Sequence, residues 1–233
     1  MMKFEYNPAP QRSPEWFALR LGKVTASRLS DWLAVSKAKD TKGKPLKARL
    51  DYEKELMFER QFNVSFNNYI TDAMQDGIDL EDFAVKQYIL TNFEKGDKSH
   101  IEECGAWYND FFCASPDRIV NDDGLLEVKV VRDNTFTDIL INGVPEKHWQ
   151  QIQGQLWASK RDWCDYVVLN LNTKKLVVIE VKPDLEFWDY LEEAVQEKLV
   201  VDKFSEEKMF DIVGALPDGM DSPALASNNE GSW

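Results

Sequence analysis

Two stretches of the chain spell Glu-Val-Lys: Glu127-Val128-Lys129 within GLLEVKVV, and Glu180-Val181-Lys182 within KLVVIEVKPD. In an extended strand the side chains alternate between faces, so each spelling sets a carboxylate and an ammonium side by side. Such a pair suits metal-assisted hydrolysis of a phosphodiester: carboxylates hold a divalent ion, and a cation stands beside the attacking water or the developing charge. It equally suits a solvated strand with a salt bridge worth under about 1 kcal/mol.

Their neighbours separate the two. Asp117, in CASPDRIV, stands across from Glu127 and Lys129 if NDDG supplies a three-residue turn, because an odd loop keeps these positions on one face. A four-residue turn at NTKK would also gather Asp165, Glu180 and Lys182, so spacing alone does not choose. The first hairpin, however, is preceded by a helix carrying Glu81 and followed by one carrying Gln151 and Gln153, which supply further polar groups. The second is followed only by an acidic helix, and Pro183 ends its strand directly after the lysine. Glu127 and Lys129 are the expected reactive pair, and Glu180 with Lys182 an outward-facing ion pair.

The elements that must position these groups follow from period and punctuation. Ser13-Pro14-Glu15 starts a helix that Gly22 ends. The donor-rich turn GKVTAS leads into a second helix marked by Leu29, Trp32 and Leu33, and a loop of this kind at a helix start suits an anion. LDYEKELMFERQF and DLEDFAVKQYILTNF read as helices, the latter with Leu80, Phe83, Ala84 and Tyr88 facing inward. HIEECGAWYND, FFCASPDRIV and GLLEVKVV read as three strands. PEKHWQQIQGQLWASK is a helix, DYVVLNL and KLVVIEV a second hairpin, and residues 184–204 an acidic amphipathic helix. The expected fold class is α/β, a mixed central sheet flanked by helices. One domain over residues 1–215 is expected, with 216–233 a flexible tail rich in Gly, Pro, Ser and Asn.

Composition narrows the partners. A net charge of -13 argues against a protein that simply coats nucleic acid, since phosphate binding is driven by Lys and Arg. Residues 37–49 concentrate six Lys or Arg against one Asp, which suits either a solvated loop or a local contact with DNA. Cys104, Cys113 and Cys164 lie far apart without metal-binding spacing and read as core residues. No apolar stretch is long enough for a membrane span, and a cytoplasmic protein is expected.

WFALRLGKVTAS, CASPDRIV, LLEVKV and QIQGQLW, in that order, resemble the phage lambda exonuclease family, the YqaJ-like viral recombinases of the PD-(D/E)XK nuclease superfamily. The resemblance spans roughly residues 12–200. It implies a PD-(D/E)XK restriction-endonuclease-like core and a Mg²⁺-dependent exonuclease, with Mn²⁺ also supporting activity. Such an enzyme degrades one strand of linear double-stranded DNA from a 5′-phosphorylated end, in the 5′-to-3′ direction. It further implies a toroidal homotrimer, a single-strand annealing protein as partner, and a phage or prophage origin in a bacterial cytoplasm. By matching motif, Asp117, Glu127 and the backbone carbonyl of Val128 would ligate metal, Glu81 would help hold a second ion, and Lys129 would orient or polarise the water. Gln151 aligns with the family's active-site glutamine. Gln153, which falls among apolar positions on the helical wheel, stays a second candidate. Arg20, Ser27 and Ser115 match the 5′-phosphate pocket, whose chemistry suits a guanidinium and two hydroxyls beside a helix start. Lys37 and Met74 match a basic loop residue and a duplex-opening wedge by position, though both differ in type. A ring of this kind needs positive charge only along its bore, which accommodates an acidic exterior. Rival readings are an endonuclease or Cas4-like single-strand exonuclease on the same fold, and a non-catalytic acidic DNA mimic.

Overall fold

The computed structural model describes residues 2–66, 72–94 and 99–196. In chain order the elements are β1 (Glu5–Asn7), α1 (Pro14–Arg20), β2 (Val24–Thr25), α2 (Leu29–Trp32), α3 (Lys47–Phe62), α4 (Asp72–Glu94), β3 (Ile101–Glu103), β4 (Ala106–Tyr108), β5 (Phe112–Ala114), β6 (Arg118–Val120) and β7 (Gly124–Val131). They continue with α5 (Asp133–Asn142), α6 (Glu146–Ser159), β8 (Trp163–Asn170) and β9 (Leu176–Val181). A last helix, α7, occupies residues 185–196 of the described chain. The expected tail lies outside the described residues, and no described helix is long and apolar enough to cross a membrane.

The strands form two sheets, one ordered β1-β4-β5-β2 and a larger one ordered β3-β6-β7-β8-β9. β7 and β8 run parallel, joined by the crossover through α5 and α6, while the other pairs of the large sheet are antiparallel. The alternation along β7 splits its side chains between two apolar layers. Leu125 packs with Ile152, Leu156 and Trp157 of α6, whereas Leu126 and Val128 pack with Ala84, Val85 and Tyr88 of α4. The sheet is therefore covered on both faces, which is why its central strands read as nearly continuous apolar runs.

Ser13 caps α1 by accepting from the Trp16 N–H (3.2 Å), as its type predicts. The chain leaves α1 through Gly22 at φ +66°, and α3 grips the turn: Arg60 Nε donates to the Gly22 carbonyl (2.7 Å), and Glu59 Oε2 accepts its N–H (2.9 Å). All three cysteines are buried and free, as expected of core residues.

Three expectations change. The segments read as two strands before GLLEVKVV are four, β3 to β6, because the chain crosses between sheets at Gly105 and again at residues 115–117. Gly105 permits the first crossing, since a Cβ there would collide with the Asn7 carbonyl oxygen of the neighbouring strand. A helix, α5, fills the stretch between β7 and α6, where the mixed polar and β-branched letters DNTFTDILIN gave no clear period. Phe83 is 37% exposed rather than inward, because Val85 takes the buried position beside Ala84.

Candidate active site

The turn between β6 and β7 is the three residues 121–123, and Arg118 faces Leu126 in the register. Asp117 therefore lies opposite Glu127, with its N–H donating to the Leu126 carbonyl (3.1 Å) and its Oδ2 accepting from the Val128 N–H (2.6 Å). Glu127 is 1% exposed, so its charge needs internal partners. Lys129 Nζ donates to Glu127 Oε1 at 2.5 Å from two residues along the strand. α6 supplies the rest: Gln151 Nε2 donates to the same oxygen (2.5 Å), and Gln155 Nε2 to Glu127 Oε2 (2.7 Å). A spacing of four sets both glutamines on one helical face, against the sheet.

Burial, and then the neighbouring Glu127, raise the Asp117 pKa well above the carboxylate range. For Lys129 burial acts downward, but Glu127 and Asp117 outweigh it and the ammonium is held charged. His148, whose ring lies 2.6 Å from the Tyr166 hydroxyl, is pushed down to about 3 by burial and by Lys129, and so is neutral near pH 7.

Glu81 reaches the same neighbourhood from α4. Its Oε1 accepts from Arg118 Nη1 (2.7 Å) and its Oε2 from Arg12 Nη2 (2.8 Å). The donor chemistry suits a hard divalent cation: three carboxylates and a strand carbonyl, all oxygen, around buried negative charge. As placed, no three His, Cys, Asp or Glu side chains among the described residues converge as a metal-holding group. Lys129 and the two glutamines bond Glu127, the Val128 N–H bonds Asp117, and two arginines bond Glu81.

A second cluster lies at the start of the chain. The Arg20 guanidinium stacks 4.2 Å over the Trp16 ring and its Nη2 reaches Ser27 Oγ at 3.4 Å. Trp16 Nε1 in turn donates to Ser115 Oγ (2.8 Å), and Ser115 donates to the Gly105 carbonyl (2.5 Å). The structure thus links Arg20, Ser27 and Ser115 through Trp16, a residue the sequence did not single out. Lys37 stands apart, 3.7 Å from Glu146 and exposed. Met74 lies in α4 with its side chain outside those described.

The structure turns Gln153 away from Glu127. It is fully buried, donating to the Lys182 carbonyl (2.8 Å) and accepting from the Asp184 N–H (2.9 Å) and Trp188 Nε1 (3.1 Å). Gln153 ties α6 to the start of α7, and Gln155, which sequence reasoning passed over, takes the place beside Glu127. Its position four residues after Gln151 was the available signal. The second Glu-Val-Lys falls on the other face of the sheet, since Glu180 pairs with Asp165, which stands beside Leu126 rather than Glu127. Glu180 and Lys182 form an exposed ion pair at 3.2 Å.

The sequence matches the profile of the YqaJ-like viral recombinase domain over residues 15–162. The structure is similar to the alkaline exonuclease LHK-Exo of Laribacter hongkongensis, 29% identical with a TM-score of 0.72 over 86% of this chain and 98% of that one. To the complex of LHK-Exo with dAMP it is 30% identical, with a TM-score of 0.71 and the same coverage. A phage-related exonuclease from Haemophilus somnus, 18% identical with a TM-score of 0.58 over 80% and 96% of the two chains, shares the fold. No curated protein matches. The two sheets and flanking helices are the alkaline exonuclease arrangement, a mixed α/β fold of the PD-(D/E)XK type.

Proposed function

The chain belongs to the YqaJ-like viral recombinase family, and from that premise we propose that it is a divalent-metal-dependent DNA exonuclease. It acts on linear duplex from a 5′-phosphorylated end, in the 5′-to-3′ direction, and leaves 3′ overhangs for recombination by strand annealing. The observation that carries the reading is the convergence of Lys129, Gln151 and Gln155 on the buried Glu127, with Asp117 opposite. Such preorganised donors around a dry carboxylate suit chemistry on a charged substrate.

Asp117, Glu127 and the Val128 carbonyl would hold Mg²⁺, with Glu81 assisting a second ion; Mn²⁺ would serve as well. The bound ion would supply an activated water and Lewis-acid stabilisation of the phosphoryl oxygens. The chain's own part is then divided. Lys129 Nζ, next to Glu127, orients the attacking water and offsets negative charge at the phosphate. Gln151 and Gln155 hold the two Glu127 oxygens in place through their amides. Arg20, with Ser27 and Ser115, receives the terminal 5′-phosphate through a charge-assisted fork and two hydroxyls. Lys37 adds long-range attraction for the duplex, and Met74 takes the position of a wedge at the strand junction. A toroidal homotrimer and a single-strand annealing partner complete the proposal.

Purified protein with Mg²⁺ is offered linear duplex with and without a 5′-phosphate, closed circular duplex and single strands. The expected result is digestion of the phosphorylated linear duplex, loss of digestion with chelator, and loss in Lys129→Ala. Cutting of circles would replace the exonuclease with an endonuclease, preference for single strands would favour the Cas4-like reading, and no cutting would favour the acidic mimic.

A further inference from the structure

Arg12 has φ +68°, in the left-handed region that a residue with a side chain enters at a cost. The turn is fastened beside the site, because Gln11 Nε2 donates to the Pro116 carbonyl (2.7 Å), immediately before Asp117. From there Arg12 crosses to Glu81 Oε2 at 2.8 Å.

The two arginines on Glu81 are not alike. Arg118 is 12% exposed and divides its guanidinium among Glu81, the Asp117 carbonyl and Asp82, each at 2.7 Å. Arg12 is 47% exposed and pairs only with Glu81 among the described residues. One cation is built into the fold, while the other is half in solvent and can exchange its carboxylate for another anion at little cost. An ion pair of the Arg12 kind also withholds Glu81 Oε2 from any cation.

We propose that Arg12 is a DNA-binding residue that exchanges Glu81 for a backbone phosphate of the substrate, and that this exchange releases Glu81 Oε2 to a divalent cation. Arginine suits the exchange because its fork matches a phosphate as well as a carboxylate. DNA binding and cation binding are then coupled, each strengthening the other. The inference rests on the exonuclease reading and adds to it a residue and an order of assembly.

The test uses full-length parent, Arg12→Gln and Arg12→Gly. Ca²⁺ binding is measured by titration calorimetry, alone and with a short 5′-phosphorylated duplex, and duplex binding is measured against salt. In the parent, duplex should tighten Ca²⁺ binding by about fivefold or more. In both variants Ca²⁺ alone should bind as tightly as it does to the duplex-bound parent, and duplex should add less than about twofold. The salt slope of duplex binding should fall by about one in Arg12→Gln. Arg12→Gly, which relieves the backbone, should melt no lower than the parent, so a change in binding is not misfolding. If both variants bind Ca²⁺ and duplex as the parent does while the parent digests DNA, the role of Arg12 is overturned and the exonuclease reading stands. If the parent binds neither Ca²⁺ nor duplex and digests nothing, both are overturned.

Discussion

Replacing Gln155 by leucine tests both the chemistry of the site and its stability. The Gln155 amide donates to Glu127 Oε2 at 2.7 Å, a hydrogen bond to a charged group worth about 1.5–3 kcal/mol. Its own Oε1 is buried without a partner, which costs about 1–3 kcal/mol. Leucine has similar bulk and removes the orphaned Oε1, but it leaves the buried Glu127 Oε2 without its amide, so the net effect should be a loss of about 1–3 kcal/mol of stability. For a chain of this size that is a drop in melting temperature of roughly 2–12 °C. Activity should fall as well. Glu127 keeps Lys129 and Gln151 on one oxygen and loses the amide that fixes the other, and losing a partner of this kind typically lowers metal affinity or turnover by about 10- to 100-fold. Initial rates of duplex digestion across a Mg²⁺ titration, beside a thermal melt, read both quantities. A rate within about twofold of the parent at every Mg²⁺ concentration would refute the argument that Gln155 positions Glu127. A melting temperature equal to or above that of the parent would refute the claim that the substitution orphans a buried Glu127 oxygen.

Asp117→Asn should abolish digestion and raise stability at neutral pH. Because burial and Glu127 raise the Asp117 pKa in the fold, its stabilising contribution is present below the unfolded carboxylate value and is lost as pH rises through the folded one. An amide carries no such dependence, so in chelator the melting-temperature gain should be largest near pH 8 and shrink towards pH 4; a gain independent of pH would contradict the linkage. The double substitution Glu180→Ala with Lys182→Ala removes an exposed pair on the far face and should leave the digestion rate within about twofold. Loss of activity in a folded double variant would mean that the wrong strand had been chosen.

The geometry of the β6–β7 hairpin was legible because its logic is local. Three turn residues and the period of two place Asp117 opposite Glu127 whatever surrounds them, and the spelling of α6 announces a helix. What failed to show was set by contacts distant in sequence. Gln153 lies among apolar positions on the wheel, and its burial is real, yet its partners at residues 182–188 could not be known from the helix alone. The split of two expected strands into four depends on Asn7 passing next to Gly105, a meeting of residues about a hundred positions apart. Phe83 looked like core because the helical period alone could not distinguish it from Val85. The two Glu-Val-Lys spellings were separable by the residues around them, but that they lie on opposite faces of one sheet is set by strand pairing.

The second crossing between sheets, at residues 115–117, holds two of the proposed groups close together along the backbone. Ser115 belongs to the proposed end-binding cluster and Asp117 to the proposed reaction centre, and a single proline separates them. Proline fixes φ and stiffens the residue before it, so on the proposed assignments the backbone would act as a short ruler between a bound 5′-phosphate and the bond to be cut. On the proposed assignments this spacing would set the length of each product, and inserting one residue between Ser115 and Asp117 is expected to alter the step size.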